Sequence, residues 1–487
     1  MDTLFLSDWL TARVAVSPDH PAVNYHHPDG QISTLTYRQL YDQAISMAYR
    51  LARMGVQAGD HVAVCLPNSV EYVILIHALV LLRAVLVPIN TRLTPDEVHE
   101  RVTQAQCRWL VNVERLAEIG SIPLPSDVNP LPHRERAFDL EALCAIVHTS
   151  GTSGRSKGVM LAYRQFFYSA MSSAYRIGTL PTDRWLCVMP LYHVGGLSIV
   201  FRAVLYGITL ELAPKFDAEW VATILKREPI TLVSLVPTML YRLIQRMDAS
   251  LTEKSFPALR LILLGGAAAS PNLLAQARDL HLPIATTYGL TECASQVATH
   301  ILSPDETPLG SVGKPLFMTE VRIVNQQGEE APPDEWGEVI VRSPMVMNGY
   351  YNHPTATAQA IQDGWLRTGD IGYLDPHGDL WIVQRRSDLI ITGGENVYPV
   401  EVETVLNQFP NVKESVVVGL DDAEWGQLVV AVVVSNDPQS LNLVELQQHA
   451  RQHLAGYKVP RRWLVVDALP YNASAKVDRN AVKELFQ

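Results

Sequence analysis

The 487-residue chain is too long to bury one core, so at least two domains are expected. Its composition, 48% hydrophobic and 18% charged with glycine and proline scattered throughout, excludes a disordered or low-complexity protein. A net charge of -11 excludes a general nucleic-acid binder, which needs a basic field against phosphates, but leaves room for a local cation cluster around a nucleotide.

In chain order, Met1 to Phe5 offers no basic region or cleavage site of a signal peptide. His61 to Leu66 reads as a buried strand ending at Pro67-Asn68, Val70 to Leu82 as an apolar helix, and Ala84 to Pro88 as another strand. The longest apolar stretch, Tyr72 to Ile89, is broken by His77 and Arg83 and falls short of the roughly 20 residues that span a bilayer, so no membrane insertion is expected. The strand–helix pattern repeats at Val233 to Val236 followed by Thr238 to Arg246, and at Leu261 to Leu264 followed by Gly265-Gly266. Such alternation predicts an α/β fold, with parallel sheets covered by helices and ligands at the carboxyl ends of the strands.

From Gly310 to Arg342 short strands with turn signals, Val321 to Val324 and Gly337 to Val341, predict a small β subdomain. After Arg386 the texture becomes α+β, with strands at Ser415 to Gly419 and Leu428 to Val434 and a helix at Leu443 to Leu454. The main boundary is therefore expected at Ser387, giving domains 1–386 and 387–487. Cys65, Cys107, Cys144, Cys187 and Cys293 are odd in number, widely spaced and mostly in apolar context. They read as free buried thiols of a protein in a reducing compartment, the cytoplasm.

Five motifs carry chemistry. Thr149-Ser150-Gly151-Thr152-Ser153-Gly154-Arg155-Ser156-Lys157-Gly158 has hydroxyls and backbone N–H groups to wrap phosphate oxygens and cations to offset their charge, although such a loop can also be a mere connection. It is not a Walker A loop. Thr286-Thr287-Tyr288-Gly289-Leu290-Thr291-Glu292 offers an aromatic ring for a purine and a carboxylate for Mg²⁺ on phosphates, or simply a strand end with an acid at a helix start. Gly364 to Asp370 ends in a carboxylate suited to both ribose hydroxyls, or in an ordinary turn aspartate. The fourth motif runs from Arg385 to Asn396 and the last from Leu469 to Lys476.

All five, in this order, resemble the adenylate-forming superfamily of acyl-CoA synthetases, firefly-type luciferases and peptide-synthetase adenylation domains. The resemblance covers nearly the whole chain, from about Ala22 to Lys476. It implies a large N-terminal domain, a mobile C-terminal lid, and an active site in the cleft between them that uses ATP, Mg²⁺ and coenzyme A. By matched position, Thr149, Ser150, Gly151, Thr152, Ser153 and Lys157 would embrace the β- and γ-phosphates, and Thr152 with Glu292 would serve Mg²⁺. Gly265, Gly266, Ala267, Thr287, Tyr288 and Gly289 would enclose adenine, with Thr291 beside them; Asp370 and Arg385 would hold the ribose. Lys476 would bridge the substrate carboxylate and the α-phosphate during adenylation, Ser387 falls at the hinge, and lid rotation would exchange Lys476 for Gly393-Gly394-Glu395 at the cleft. Lys458 joins Gly393 and Gly394 as an expected CoA residue. Ser156 and Ala475 stand where Pro and Gly are usual, and Ser387 replaces the usual Asp or Lys; none removes a functional group required for adenylation.

Three segments, Pro190 to Ser198, Tyr288 to Gln296 and Arg385 to Pro399, are most similar to the o-succinylbenzoate–CoA ligases of menaquinone or phylloquinone biosynthesis. That resemblance implies an acid pocket at His193, Gly196, Ser198, Arg202 and Ser295, with His193 also near the chemistry. Arg202 supports it on physical grounds. Its segment, Ile199 to Tyr206, is apolar on nearly every face, so the buried guanidinium needs an anion: a second substrate carboxylate, an internal acid, or escape by snorkelling. The alternatives are a CoA ligase for another aryl or medium-chain acid, and an adenylation module feeding a carrier protein; no carrier serine motif follows Lys476 in the eleven remaining residues. The sequence leaves oligomeric state open, a homo-oligomer included.

Overall fold

Helix Val70–Leu82 shows how the N-terminal domain is assembled. Ser69 caps it by accepting from the Tyr72 N–H, Glu71 complements its positive end, and Arg83 stops it in the left-handed conformation (φ 57°). It is apolar all round, and accordingly it is buried from Tyr72 through Val80 and again at Leu82, packed against helix Tyr37–Arg53. Each fully buried aliphatic side chain contributes about 1.5–3 kcal/mol, so such a helix is specified by its surroundings rather than by propensity. The computed structural model describes residues 7–124, 138–149, 156–247, 256–267, 269, 271–303, 309–325, 327–384, 390–435, 441–470 and 477–486.

Two sheets form the frame of the N-terminal domain. The larger has nine strands in the order Lys314–Pro315, Ser295–Ile301, Ile284–Leu290, Leu261–Leu264, Leu232–Leu235, Arg184–Cys187, Thr209–Leu212, Pro21–His26 and Ile32–Thr36. Its six inner strands, from Ile284–Leu290 to Pro21–His26, run parallel, with antiparallel pairs at both edges. The second has five strands and is parallel except where Leu143–Thr149 meets Lys157–Ala162. Aliphatic runs such as Leu261–Leu264 are buried on both faces, as a helix-covered parallel sheet requires. A five-stranded antiparallel sheet, including Glu320–Val324, Gly337–Arg342 and Trp365–Leu374, forms the smaller β subdomain.

The C-terminal domain has its own sheet. Strands Val412–Asp422 and Gly426–Ser435 make an antiparallel hairpin, Arg462–Val466 adds in parallel, and helices Pro399–Leu406 and Leu443–His453 close one face over Val417, Val429 and Val433. The expected boundary at Ser387 lies outside the described residues; the last strand before it is Leu380–Gln384 and the first after it Ile390–Thr392. All five cysteines are free, and three of them are buried. Among the described residues no helix is long and apolar enough to cross a membrane.

Candidate active site

The carboxyl ends of the central parallel strands converge on one cavity of about 210 Å³, closed from the other side by Gly394, Asn396 and Tyr398 of the C-terminal domain. Strand Leu232–Leu235 delivers Val236, Leu261–Leu264 delivers Gly265-Gly266, and Ile284–Leu290 delivers Thr291-Glu292. This is the crevice that a parallel sheet leaves for a ligand. Of the residues expected from the sequence, Thr149, His193, Arg202, Gly265, Gly266, Thr287, Gly289, Thr291, Glu292, Ser295, Asp370 and Gly394 line it. Ala267 and Tyr288 line a smaller space of about 50 Å³ that shares Thr287 with the first.

Asp370 and Tyr288 are held together: the tyrosine hydroxyl donates to Asp370 Oδ2 at 2.5 Å, and both groups are buried. Gly289 is required by close packing, since a Cβ there would collide with the Ser295 carbonyl on the paired strand. Glu292 is 4% exposed, and its Oε1 accepts from Tyr350 Oη at 2.9 Å. The Tyr350 ring in turn carries the Lys157 ammonium 5.1 Å from its centroid. Among the described residues no cluster of three or more His, Cys, Asp or Glu forms a self-sufficient metal site. One buried carboxylate beside a cavity fits Mg²⁺, which keeps waters and completes its shell with phosphate oxygens. Ser150, Gly151, Thr152, Ser153, Arg385, Ser387 and Lys476 lie outside the described residues.

Arg202 is 2% exposed on helix Val194–Tyr206 and reaches the cavity wall. Its Nη2 donates to Ser169 Oγ at 3.1 Å, its guanidinium stands 5.8 Å from the Trp185 ring centroid, and its Nε has no hydrogen-bond partner. Among the described residues no carboxylate pairs with it, so neither the internal acid nor the snorkelling side chain is found. Burial lowers its pKa, with only the Tyr206 hydroxyl opposing. Gly196 and Ser198, also expected at the acid, do not line this cavity and are engaged at the helix start. The Ser198 hydroxyl turns back to the Gly195 carbonyl at 3.1 Å, and a Cβ at Gly196 would press on the Pro190 carbonyl.

On the C-terminal side, Gly393 and Gly394 both have positive φ (59° and 82°), and a Cβ on Gly394 would meet Val236 of the other domain at 3.1 Å. Next to them Glu395 inserts between the domains. It accepts from Arg92 Nη1 at 3.1 Å and Tyr192 Oη at 3.4 Å, and its Oε2 is 3.2 Å from His193 Nε2. Burial pushes the Glu395 carboxyl up, but His193 and Arg92 together hold it below the usual carboxylate range. Lys458, expected at CoA, is only 2% exposed and places its ammonium 2.6 Å from Glu97 and 2.7 Å from Glu401. An ammonium so enclosed is held at the domain interface, where it also lines a cavity of about 90 Å³ beside His193 and Glu395. Sequence reasoning missed Arg92 and Glu97. Arg92 follows strand Val85–Pro88, so the strand-end rule could have found it; Glu97 sits in a Thr94–Glu97 capping box that conceals its second role.

Comparison with known proteins agrees with this geometry. Residues 10–351 match the AMP-binding enzyme family and residues 401–476 its C-terminal domain. The chain is 41% identical over 490 residues to a 2-succinylbenzoate–CoA ligase of Geobacillus kaustophilus, covering 99% of this chain and 98% of the relative. A double mutant of the Bacillus subtilis o-succinylbenzoate CoA synthetase, bound with the product analogue OSB-NCoA, superposes with a TM-score of 0.90 at 36% identity, covering 98% of each chain. The same Bacillus subtilis enzyme in complex with the acyl-adenylate intermediate OSB-AMP gives 0.73 at 36% identity, covering 99% of each. The chain belongs to the AMP-binding enzyme family, and 2-succinylbenzoate–CoA ligases are among its full-length relatives.

Proposed function

We propose that the protein joins o-succinylbenzoate to coenzyme A in two steps through an acyl-adenylate. In the first, a substrate carboxylate oxygen attacks the α-phosphorus of ATP, the acyl–phosphate bond forms and pyrophosphate leaves. In the second, the CoA sulfur attacks the acyl carbon, the thioester bond forms, AMP departs with the bonding pair and the thiol proton is lost. The observation that carries the substrate is Arg202, a buried cation on the cavity wall with a free Nε and no carboxylate among the described residues. A dicarboxylic acid supplies what it lacks. The ring carboxylate would sit against Arg202, leaving the flexible succinyl carboxylate to reach the nucleotide.

Repulsion between a carboxylate and a triphosphate is the main obstacle to the first step, so positioned cations must precede attack. Lys157 stands over the ring of Tyr350, whose hydroxyl donates to Glu292, and Lys476 is assigned the bridge between carboxylate and α-phosphate by its motif position. Glu292 and Thr152 would hold Mg²⁺, which when bound offsets the charge of the phosphate oxygens. Asp370 would accept the ribose hydroxyls. By motif position Arg385 would join it there, and Ser387 would be the hinge between domains 1–386 and 387–487. Gly394, whose missing side chain keeps the domain interface open beside Val236, would border the pantetheine route together with Gly393, which packs against Trp425. Five free thiols suit a reducing cytoplasm.

A pyrophosphate-release screen over a panel of carboxylic acids, with and without CoA, tests this reading. The expected result is preference for o-succinylbenzoate, with thioester and AMP formed only when CoA is present. Preference for a monocarboxylic aryl or fatty acid would remove the substrate assignment and leave the two-step ligase chemistry.

A further inference from the structure

The interface between the two domains contains a buried ionic cluster remote in sequence; its Arg101 and Lys458 line a cavity of about 90 Å³ that adjoins the substrate cavity and shares Thr149, His193 and Thr291 with it. Lys458 Nζ lies 2.6 Å from Glu97 Oε1 of the N-terminal domain and 2.7 Å from Glu401 Oε1 of its own domain. Arg101 Nη2 approaches the same Glu401 oxygen at 3.9 Å, and its Nη1 lies 3.6 Å from Glu100. The side chains of Lys458, Glu97, Arg101 and Glu401 are between 3% and 15% exposed. Each domain therefore contributes one cation and one central carboxylate to the cluster.

Three features make this arrangement a switchable contact. Glu97 is aimed in advance: its Oε2 accepts from the Thr94 N–H at 2.8 Å in the capping box of helix Pro95–Gln104, leaving Oε1 for Lys458. Lys458 is equally fixed, with its backbone N–H on the Ala455 carbonyl and its ammonium 5.7 Å from the centroid of the Tyr457 ring, which Arg92 also faces at 5.1 Å. When the domains separate, neither side is left with an uncompensated charge. Glu97 and Arg101 are neighbours at i,i+4 on one helix, and Lys458 already holds Glu401. An apolar contact of the same area would have to be exposed to water on release, whereas these ions re-solvate in pairs.

We infer that Lys458 is a positioning residue for thioester formation: by bridging Glu97 and Glu401 it holds the C-terminal domain where Gly394 meets the substrate cavity, and it takes no part in acyl-adenylate formation. The inference rests on the two-step reading above. Replacing Lys458 would leave Glu97 and Glu401 facing each other only in this arrangement, so its population, and with it the second step, should fall.

The test measures the two half-reactions separately in the full-length enzyme, with whichever acid the wild type activates best, so that failure of the substrate assignment leaves it intact. Glu97→Gln should slow reaction of the purified acyl-adenylate with CoA roughly tenfold, and Lys458→Met should slow it further. Pyrophosphate release by Glu97→Gln should stay within about twofold of wild type, and Lys458→Arg should restore most of the loss. The double variant should be no slower than Lys458→Met alone, because both substitutions break one contact. Loss confined to the lysine variants, with Glu97→Gln unaffected, would overturn the inference in favour of direct CoA contact. Equal loss in both half-reactions with a lowered melting temperature would overturn it in favour of a plain core ion pair.

Discussion

Arg202 and Lys458 are the same in one respect and opposite in another. Each is a cation with only 2% of its surface exposed, and each had to give up hydration to reach its place. Lys458 recovers that loss inside the protein, from two carboxylates within 2.7 Å. Arg202 recovers only part of it, from one serine hydroxyl and one indole face, and it borders a cavity. Burial alone therefore does not mark a ligand site. What separates recognition from architecture is whether the counter-charge is already present.

Arg184 supplies the limiting case of architecture. Its Nε lies 2.5 Å from Glu211, which is fully buried and also takes Asn24 at 2.7 Å and His26 at 2.6 Å. Glu211→Gln should give the largest stability loss among these positions, about 3–5 kcal/mol, because it removes the fully buried charge that Arg184, His26 and Asn24 all address and leaves Arg184 only the longer contact to Glu228. A urea titration of both proteins reads this, and a change under about 1 kcal/mol would show that full pairing is not what holds the cluster. The pH dependence has a definite sign. Burial pushes the Glu211 carboxyl up, but hydrogen bonds from His26, Arg184 and Asn24 outweigh it and leave the pKa lowered. Its contribution is thus present at neutral pH and lost as pH falls through the lowered folded value, and the variant should lack that acid-sensitive component.

At the interface end of the comparison, Gly394→Leu adds a side chain at φ 82° and toward Val236. The backbone and steric costs together amount to about 2–5 kcal/mol, so reaction of the acyl-adenylate with CoA should slow by roughly 30-fold or more while pyrophosphate release is spared. If pyrophosphate release fell equally, the loop would belong to both steps and the interface would not be specific to one.

The smallest expected effect is the most discriminating. Arg202→Met removes a buried charge that has no carboxylate partner among the described residues and replaces it with an apolar chain of similar length. The free protein should keep its stability within about 1 kcal/mol of wild type or gain some, in contrast to Glu211→Gln. A loss as large as that of Glu211→Gln would place Arg202 with the structural cations.

Much of this was legible in the sequence, for reasons that differ by residue. Helix Val70–Leu82 and strand Leu261–Leu264 have the expected bounds because an uninterrupted apolar run between caps and turns leaves the chain few choices. The burial of Arg202 was legible because its helix, Val194–Tyr206, is apolar on nearly every face. The cavity wall at Gly265, Thr287, Glu292 and Asp370 could be read because their motifs resemble those of a known family in the same order; Thr287 and Asp370 lie within strands, where the strand-end rule alone would have passed over them. The partners of Lys458 could not be read: 361 residues separate it from Glu97, and no local period links an acid in one domain to a base in another. The hydrogen bond of Ser198 could not be read for a related reason, since a hydroxyl near a helix start can satisfy itself on the preceding turn, as it does on Gly195.

The most direct measurement is a four-way comparison of kcat/KM for pyrophosphate release, using wild type and Arg202→Ala against o-succinylbenzoate and an analogue lacking the ring carboxylate. A charge-assisted contact is worth about 1.5–3 kcal/mol, so Arg202→Ala should reduce kcat/KM for o-succinylbenzoate by roughly 10- to 200-fold. The analogue should be poor for wild type and nearly indifferent to the substitution, and the KM for ATP should barely move. Equal loss with both acids would contradict the assignment and return Arg202 to the protein's own architecture.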